Sequence, residues 1–487
     1  MLGVHSLNVG VGSNLTESTE EGDSYTGVGF VNPDMVFIGA AISFEENSSP
    51  NGSYDKSRLV GFFGNVNYGY DNRYFLDLSF RTDGSSKFGR NSRFAPFWSV
   101  GVAWNVHKEA FWSGDEKSSL KLRASVGSTG TTNFSSTQAL TTYNYDFSKI
   151  YNGVFGVSLA GYGNPELKWQ NTISYNVGVD MTLLKGLVTF NGDFYIKNTE
   201  NLLLPLTVAP STGFSSYVEN IGKLRNTGIE GRLRLNLIRD TQRDLRWNVT
   251  LSAFHNKSKI TKLSNQLEEI NKYANSDWYN QGTVVYRQYE AGRSQTALMM
   301  VRSGGIDPAT GNEVYIKRNG ELTFEYDAND KVKCGDMKPT IEGNVNTNLT
   351  WKGFTLYMLF KYQFGAKAYN GTLASKVEGA NPYKNADKRV LYDRWKEPGD
   401  HAKFRRIDDR TSPYQTTRLV FDNDLFSLSS VSLSYELPRD ISQKIYADRV
   451  RLMLSTTDVF RLSTIKQERG TSYPFARTFN LSLNVTF

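Results

Sequence analysis

Hydrophobic and polar residues alternate singly along much of the chain. From Thr172 to Leu183 every odd-numbered residue is apolar, and every even-numbered residue is polar or glycine. Successive side chains of a β-strand point to opposite faces, so this period of two predicts strands with one apolar and one polar face. The same alternation occurs within 98–106, 120–126, 245–253 and 478–487.

The alternating segments number about fourteen, and each is about ten residues long, the length of a tilted strand that spans a membrane. Near Ser429 and Ser430 the apolar residues change from even to odd positions. That change predicts a β-bulge, in which one extra residue shifts the phase of a strand. The predicted strands lie near 2–12, 58–70, 73–81, 97–107, 119–127, 171–183, 187–199, 228–237, 245–255, 341–351, 354–364, 426–437, 449–459 and 477–487.

The connections between the predicted strands differ in length in a regular way. Tight turns are predicted at Asp71-Asn72, Lys185-Gly186 and Lys352-Gly353. Short turns at one end and long loops at the other are typical of outer-membrane barrels, whereas the loops of a soluble sandwich are not sorted by length. The favoured fold is therefore all-β, an antiparallel transmembrane β-barrel, and a soluble all-β binding protein is an alternative. The long polar stretches lie near 13–57, 128–170, 200–227, 256–340 and 365–425.

Basic residues within the predicted strands follow the polar phase. An arginine on the lipid face would cost roughly 2–4 kcal/mol at mid-membrane, so these side chains are expected to face inward, toward a plug or water. They are Lys121, Arg123, Arg232, Arg234 and Arg246.

Composition narrows the class of protein further. An apolar fraction of 39% and a mean hydropathy of -0.46 exclude a bundle of transmembrane helices. The aromatic fraction of 13% excludes disorder of the whole chain, and the single cysteine, Cys334, excludes a disulfide framework. The net charge of +7 is dispersed along 487 residues, so no nucleic-acid partner is expected.

Five stretches, in the same order along the chain, resemble the SusC/RagA type of TonB-dependent receptors, the outer-membrane nutrient importers of Bacteroidetes. Each match is weak by itself, but the five together cover the chain from about residue 57 to the end. They are NRYFL through RTDGSSKFG at 72–89, NPELKWQ at 164–170, STGFSSY with NIG and NTGIE at 211–230, GIDPATG at 305–311, and YP with RTF and the ending LNVTF at 473–487.

The resemblance implies a 22-stranded outer-membrane barrel filled by an N-terminal plug. Residues 1–487 would then be the C-terminal part of that barrel, with about fourteen strands and without plug domain, TonB box or signal peptide. It further implies uptake of glycan or peptide oligomers driven through TonB. The implied partners are a SusD-like surface lipoprotein, the TonB complex reached through the missing N-terminal part, the barrel-assembly machinery and the lipid bilayer. A passive porin or surface-binding barrel without TonB coupling is the alternative function.

No motif in the sequence predicts catalysis or a bound cofactor. His5, His107, His255 and His401 lie far apart, and no HExxH or phosphate-binding loop occurs. The chain is therefore not expected to be an enzyme. One acidic group in a predicted external loop could offer calcium hard oxygen ligands, although its spacing does not match an EF-hand and solvated loop carboxylates are commoner. Its members are Asp307, Asp327, Asn329, Asp330 and Asp336.

Aromatic residues are the remaining candidates for function. Amphipathic rings in the long loops suit sugars, peptides or a partner protein, and packing within the loops explains each ring singly as well. These candidates are Tyr143, Tyr145, Tyr151, Trp278, Tyr279, Tyr286, Tyr383, Tyr392 and Trp395.

A second set of aromatic residues lies at the ends of the predicted strands. Such residues are expected to form the interfacial girdles of a barrel. The terminal Phe487 is either an assembly signal or a girdle residue. The strand-end aromatics are Tyr74, Trp98, Trp169, Trp247 and Trp351.

Overall fold

The structure is a computed structural model of the chain. It describes residues 3–24, 26–30, 32, 34, 37–45, 51–131, 138–207, 216–220, 222–263, 271–272, 275, 280–281, 288–381, 383, 385–409, 411–465 and 477–487.

A single sheet of fourteen antiparallel strands dominates the fold. Its spatial order is the order of the strands in the chain, so each strand pairs with the strands before and after it. All fourteen predicted strands are present. They are β1 (His5–Ser24), β2 (Asn51–Tyr70), β3 (Tyr74–Ser85), β4 (Phe94–Asn105), β5 (Ser119–Thr131), β6 (Gln170–Leu183), β7 (Val188–Glu200), β8 (Lys223–Asp240), β9 (Leu245–Lys262), β10 (Ile341–Trp351), β11 (Phe354–Phe364), β12 (Leu425–Glu436), β13 (Arg449–Ser463) and β14 (Phe479–Thr486).

The structure shows the predicted antiparallel sheet but not a closed barrel. In the part of the chain that the structure describes, the sheet is open. The first strand, β1, pairs with β2 alone, and the last, β14, pairs with β13 alone. The fold is thus shown as one large antiparallel sheet of barrel type.

Turn chemistry accounts for the tight connections. In the two-residue hairpin between β10 and β11, Lys352 and Gly353 have φ of 45° and 85°. Asp71 and Asn72 have φ of 50° and 52°. Positive φ at successive turn residues matches the twist of the flanking strands, which is why Asn and Gly occur there.

The longest connections all lie at one end of the sheet, as predicted, and the short connection 86–93 lies there with them. One end, called here the short-turn end, carries residues 71–73, 106–118, 184–187, 241–244, 352–353 and 437–448. The opposite end, called the long-loop end, carries residues 25–50, 86–93, 132–169, 201–222, 263–340, 365–424 and 464–478.

The predicted bulge is confirmed in β12. Leu428 pairs with Phe360 and Ser430 pairs with Leu359, so Ser429 has no partner on β11. The extra residue returns the apolar side chains to one face of the strand.

Short strands fold the long connections, and short helices occur in connections at both ends of the sheet. The strand pairs are Gly27–Val28 with Ser43–Phe44, Thr142–Tyr151 with Val154–Gly161, Leu203–Thr207 with Ser216–Asn220, Ala297–Met300 with Val332–Asp336, and Lys367–Tyr369 with Val420–Asp422. A three-stranded sheet joins Arg302–Ile306, Glu313–Ile316 and Leu322–Thr323. Helical turns lie at Ile38–Ala40, Arg90–Ser92, Val106–Lys108, Leu184–Gly186, Ala328–Asp330, Leu373–Glu378, Arg389–Tyr392, Thr417–Leu419, Arg439–Ser442 and Gln443–Ile445. None of the helices in the described residues is long and apolar enough to span a bilayer.

Candidate functional site: the polar face of the sheet and the loops above it

Alternation places most polar residues of β1–β14 on one face of the sheet, called here the polar face. On it Arg123 Nε lies 2.7 Å from Asp180 Oδ2, and Arg123 Nη1 lies 3.0 Å from Asp193 Oδ1. Asn191 Nδ2 donates to Asp180 Oδ1 at 2.8 Å. Three strands are thereby joined through charged groups, an arrangement that suits contact with water and not with lipid.

A second polar network joins the first three strands. Arg81 Nε donates to Asp83 Oδ1 at 2.6 Å, and Arg81 Nη2 donates to Asn14 Oδ1 at 2.8 Å. Asn67 Nδ2 donates to Asp77 Oδ1 at 2.6 Å. Side-chain hydrogen bonds on the polar face therefore link neighbouring strands in this region as well.

The basic residues predicted to face inward all lie on this face. Arg123 is placed by the network above, and strand register places the others opposite polar partners. These pairs are Lys121 with Asp180, Arg232 with Asn191, Arg234 with Thr189, and Arg246 with Thr350.

The opposite face of the sheet is apolar and open. Val177 pairs with Phe194, and Phe194 pairs with Ile229 across three strands. Val177 and Ile229 are nevertheless 60% and 57% exposed. A continuous exposed apolar surface of this kind is expected of a wall that faces lipid and counts against the soluble alternative.

An aromatic row follows the apolar face at the short-turn end. The rings of Tyr70 and Tyr74 lie 6.4 Å apart, and those of Tyr74 and Trp104 lie 6.5 Å apart, between centroids. Tyr74 Oη and Trp104 Nε1 both donate to Glu109 Oε1, at 2.7 and 2.9 Å. Rings with one polar atom turned to a shared carboxylate fit a membrane interface, as the girdle hypothesis for Tyr74 requires. Trp98, Trp247 and Trp351 are also exposed.

Trp169 does not lie in an interfacial girdle, because its side chain is buried. Its side chain is 7% exposed, its ring lies 4.3 Å from the ring of Phe88, and Phe97 packs against its edge. Trp169 Nε1 donates to the carbonyl oxygen of Arg93 at 3.0 Å. The hypothesis was wrong because the loop 86–93 folds over this ring, which strand alternation alone does not indicate.

Three of the stretches that carry the family resemblance meet around this cluster. Gly89 N donates to the carbonyl oxygen of Leu167 at 3.3 Å, which joins RTDGSSKFG to NPELKWQ. Asn220 of the NIG stretch exchanges two hydrogen bonds of 2.7 Å with the backbone of Lys168. The stretches therefore build one joint between loops at the long-loop end.

Gly89→Ala is expected to destabilise this joint by about 1–3 kcal/mol, the usual cost of overpacking. A Cβ at Gly89 would lie 1.7 Å from the carbonyl oxygen of Pro165, so the two loops must separate. The check is hydrogen exchange of residues 86–93 and 164–170. Gly101→Ala is the matched control, because its Cβ would meet nothing closer than 3.8 Å. Unchanged exchange in Gly89→Ala would contradict the steric role.

A buried group of charges, called here the loop charge cluster, joins the two longest loops. Arg418 Nη2 lies 3.0 Å from Glu313 Oε2 and 2.6 Å from Glu378 Oε2, and both glutamate side chains are 0% exposed. Arg405 Nε lies 3.1 Å from Glu378 Oε1, and Arg405 Nη1 lies 2.6 Å from Asp409 Oδ2. Burial alone would lower the pKa of Arg418, but Glu313 and Glu378 outweigh it and the pKa is raised.

A third arginine closes the cluster through backbone carbonyls. Arg394 Nη1 donates to the carbonyl oxygen of Arg405 at 3.1 Å, and Arg394 Nη2 donates to that of Glu378 at 2.9 Å and to that of Val377. Sequence reasoning missed this cluster because its members are dispersed between residues 313 and 418. The only local signal was the density of Arg and Asp within 389–409.

With this geometry established, comparison with known proteins decides the family. The profile of the family described as "TonB dependent receptor-like, beta-barrel" matches residues 2–364. The chain belongs to this family. The resemblance to the SusC/RagA type is confirmed by relatives and by fold.

TonB-dependent receptor P3 of Formosa agariphila is 28% identical over 100% of this chain and 51% of its own length. TonB-dependent receptor SusC of Bacteroides thetaiotaomicron is 25% identical over 75% of this chain and 38% of its own length. A chain of the solved RagAB peptide transporter superposes with a TM-score of 0.81 over 95% of this chain and 50% of that one, at 22% identity. That likeness shows the fold alone. The chain thus spans about half the length of the relatives it matches, which are named as TonB-dependent receptors.

The GIDPATG stretch forms a hydrogen-bonded turn at Asp307. Asp307 Oδ2 accepts hydrogen bonds from Thr310 N and Oγ1, at 3.0 and 2.6 Å, which lowers the pKa of Asp307. Trp395 Nε1 donates to the carbonyl oxygen of Pro308 at 2.9 Å. Trp395 is accordingly half-buried in packing between loops, where its ring covers Gly311.

The acidic residues proposed for calcium are not brought together. Three of them accept hydrogen bonds from different parts of the chain: Asp327 Oδ1 from Asn329 N, Asp330 Oδ1 from Arg318 N, and Asp336 Oδ1 from Thr296 Oγ1. Nowhere in the described ranges do three or more acidic, His or Cys side chains cluster as metal ligands would. The structure gives the calcium hypothesis no support.

The loop aromatics fall into three groups. Tyr143 and Tyr151 lie exposed on the hairpin of strands Thr142–Tyr151 and Val154–Gly161, and Tyr383 and Tyr392 lie exposed in the loop 365–424. Tyr145 lies on the same hairpin by backbone register. The roles of all these residues stay predictions. Trp278, Tyr279 and Tyr286 lie outside the described residues, and Phe487 follows β14 with its ring exposed.

The buried Lys331 is expected to make the stability of its loop depend on pH. Its side chain is 4% exposed, its Nζ donates to Asn275 Oδ1 at 3.3 Å, and burial lowers its pKa to about 8 from 10.5. Between these values the unfolded segment holds more protons than the folded one, so stability should rise with pH from about 8 to 10.5. Hydrogen-exchange protection of Val332–Asp336 checks this. Lys331→Met should flatten the dependence, and an equal slope in that variant would contradict the assignment.

Proposed function

We propose that this chain forms part of an outer-membrane importer that takes up glycan or peptide oligomers by TonB-dependent transport. The observation that carries the proposal is a sheet with one apolar and one polar face, in a chain that belongs to the receptor family. One face is apolar and open, and the other is tied by ion pairs such as that of Arg123 with Asp180. A wall of this kind separates lipid from a wet interior.

In this proposal residues 1–487 contribute about fourteen strands to a 22-stranded barrel. The relatives are about twice as long as this chain, which leaves length for the remaining strands, a plug domain and a TonB box. Two partners follow from the relatives: the TonB complex and a SusD-like surface lipoprotein. SusC among the relatives and the RagAB peptide transporter among the similar structures support them.

The exposed loop aromatics are proposed to contact oligomer or lipoprotein at the long-loop end. Tyr143, Tyr151, Tyr383 and Tyr392 present large rings to solvent there. Rings of this type bury much area at low entropic cost and are enriched in such contacts. Phe487 is proposed to serve the barrel-assembly machinery during insertion.

The test is uptake in cells that carry the receptor containing this chain. A fluorescent peptide or glycan oligomer is offered to cells with the receptor, to cells without it, and to receptor cells lacking TonB. Uptake that needs both receptor and TonB is the expected result. Uptake that continues without TonB would contradict the proposal and favour a passive porin. Binding without uptake in either strain would favour a surface-binding barrel.

A further inference from the structure

A groove crosses the apolar face of the sheet, and its volume is about 520 Å³. Larger side chains form its walls: Phe194 and Ile229 lie toward the long-loop end, and Phe190 lies toward the short-turn end. The groove exists because the residues between these walls are too small to fill the space. They pair in register across β7, β8 and β9, and they are Gly192, Gly231 and Ala253.

The position of the groove leaves it open to the bilayer in the barrel proposed above. Strands β6 to β10 each have both of their neighbours in the sheet, so further strands would add only beside β1 or β14. A plug would fill the interior of the barrel, on the polar face. The groove on the outer face therefore meets lipid.

Three basic residues lie on the same outer face, between the groove and the long-loop end. Arg225 of β8 lies directly opposite Lys259 of β9, and Lys257 lies two residues nearer to the groove. All three are exposed. Arg225 Nε donates to Asn198 Oδ1 of β7 at 2.8 Å, which holds the guanidinium against the outer face. Like charges directly opposite on neighbouring strands repel, so an anion beside Arg225 and Lys259 would stabilise the pair.

The distance between the groove and these basic residues matches the depth of one lipid leaflet. On β9, Lys257 and Lys259 follow Ala253 by four and six residues, which is about 13 and 20 Å along the strand. A strand tilt of about 45° reduces these lengths to about 9 and 14 Å along the membrane normal, and the hydrocarbon of one leaflet is about 15 Å thick. A lipid whose headgroup meets the basic residues therefore has its acyl chain at the level of the groove.

We propose that the groove binds one acyl chain of a phosphorylated lipid of the outer leaflet, and that Arg225, Lys257 and Lys259 bind its phosphate. Guanidinium and ammonium groups donate charge-assisted hydrogen bonds to phosphate oxygens. A zwitterionic headgroup carries a cation of its own, which weakens its attraction to three basic residues. The inference rests on the membrane setting of the proposed function and goes beyond it, since it concerns the outer surface and not transport.

The experiment counts the lipids bound to the intact, detergent-solubilised receptor by native mass spectrometry. The probes are phosphatidic acid and phosphatidylcholine that carry the same oleoyl chains. Phosphatidic acid is expected to bind about tenfold more tightly than phosphatidylcholine. Lys257→Gln combined with Lys259→Gln should lower the affinity for phosphatidic acid about tenfold and leave the affinity for phosphatidylcholine unchanged.

Gly231→Val tests the groove itself. A Cβ at Gly231 would meet nothing closer than 3.6 Å, so the strand accommodates the new side chain while the floor of the groove is filled. The affinity for both lipids should fall about tenfold, the effect of expelling about two methylene groups of the acyl chain.

Gly64→Val and Lys56→Gln are the matched controls, and both should leave the lipid affinities unchanged. Gly64 lies on the apolar face of β2, where a Cβ would meet nothing closer than 3.7 Å. Lys56 lies on the same face of β2, and its Nζ is 2.7 Å from Glu17 Oε1.

Three outcomes would overturn the inference. They are equal binding of the two lipids, groove and lysine variants that behave like the controls, and a Gly231→Val receptor that changes its oligomeric state but not its lipid affinity. The last outcome would assign the groove to a second copy of the receptor. TonB-dependent uptake is measured separately, so the lipid site and the proposed function fail independently.

Discussion

Glu378→Gln is expected to destabilise the long-loop assembly by about 3–5 kcal/mol, the cost of removing one partner from a buried ion pair. Glu378 is fully buried and contacts both Arg405 and Arg418, so the variant leaves one positive charge without compensation in a region that excludes water. The three-stranded sheet that includes Glu313–Ile316 and the loop 365–424 should then open together, because Arg418 joins them. Hydrogen exchange of both segments in the intact receptor measures this.

Asp408→Asn is the control for that result. Its partner Arg406 is half exposed, and exposed ion pairs contribute only about 0–1 kcal/mol. A double variant, Glu378→Gln with Arg405→Gln, restores the balance of charge and should regain part of the lost protection. Protection unchanged in Glu378→Gln, or lost in only one of the two segments, would show that the loop charge cluster does not couple the loops.

Leu233→Arg is expected to cost about 2–4 kcal/mol and to lower the yield of inserted receptor. Leu233 lies on the apolar face between Phe190 and Leu251, away from both girdles, so the guanidinium would enter lipid. Arg234→Leu, on the next residue and the opposite face, is the control and should be nearly neutral. The measurement is outer-membrane yield together with heat-modifiable gel mobility. Equal tolerance of the two variants would contradict the assignment of the faces.

The sheet could be predicted from the sequence because its physics is local. Alternation and turn residues gave β10 and β11 with their observed bounds, and the phase change near Ser429 gave the bulge. Strand ends were less predictable: β1 continues to Ser24, because pairing with β2 persists after the apolar residues have ended.

The loops could not be predicted because their contacts join distant residues. Trp169 has the sequence context of a strand-end aromatic, yet Phe88 and Phe97 bury it from another part of the chain. Glu313 and Arg418 form an ion pair across 105 residues. The periodicity of hydrophobic residues carries no information about such distant pairs. The sequence indicates only that charged residues such as Arg and Glu need partners when they are buried.

The strands of the sheet end at different heights at the long-loop end, because their lengths differ. β9 pairs with β10 only as far as Phe254 and continues for eight more residues to Lys262, a step of about 26 Å along the strand. The extended part of β9 binds the loop 263–340. Ile260 N donates to the carbonyl oxygen of Arg293, and Gly292 N donates to that of Ile260, both at 2.8 Å. The loop 263–340 is therefore held by the part of β9 that extends past β10.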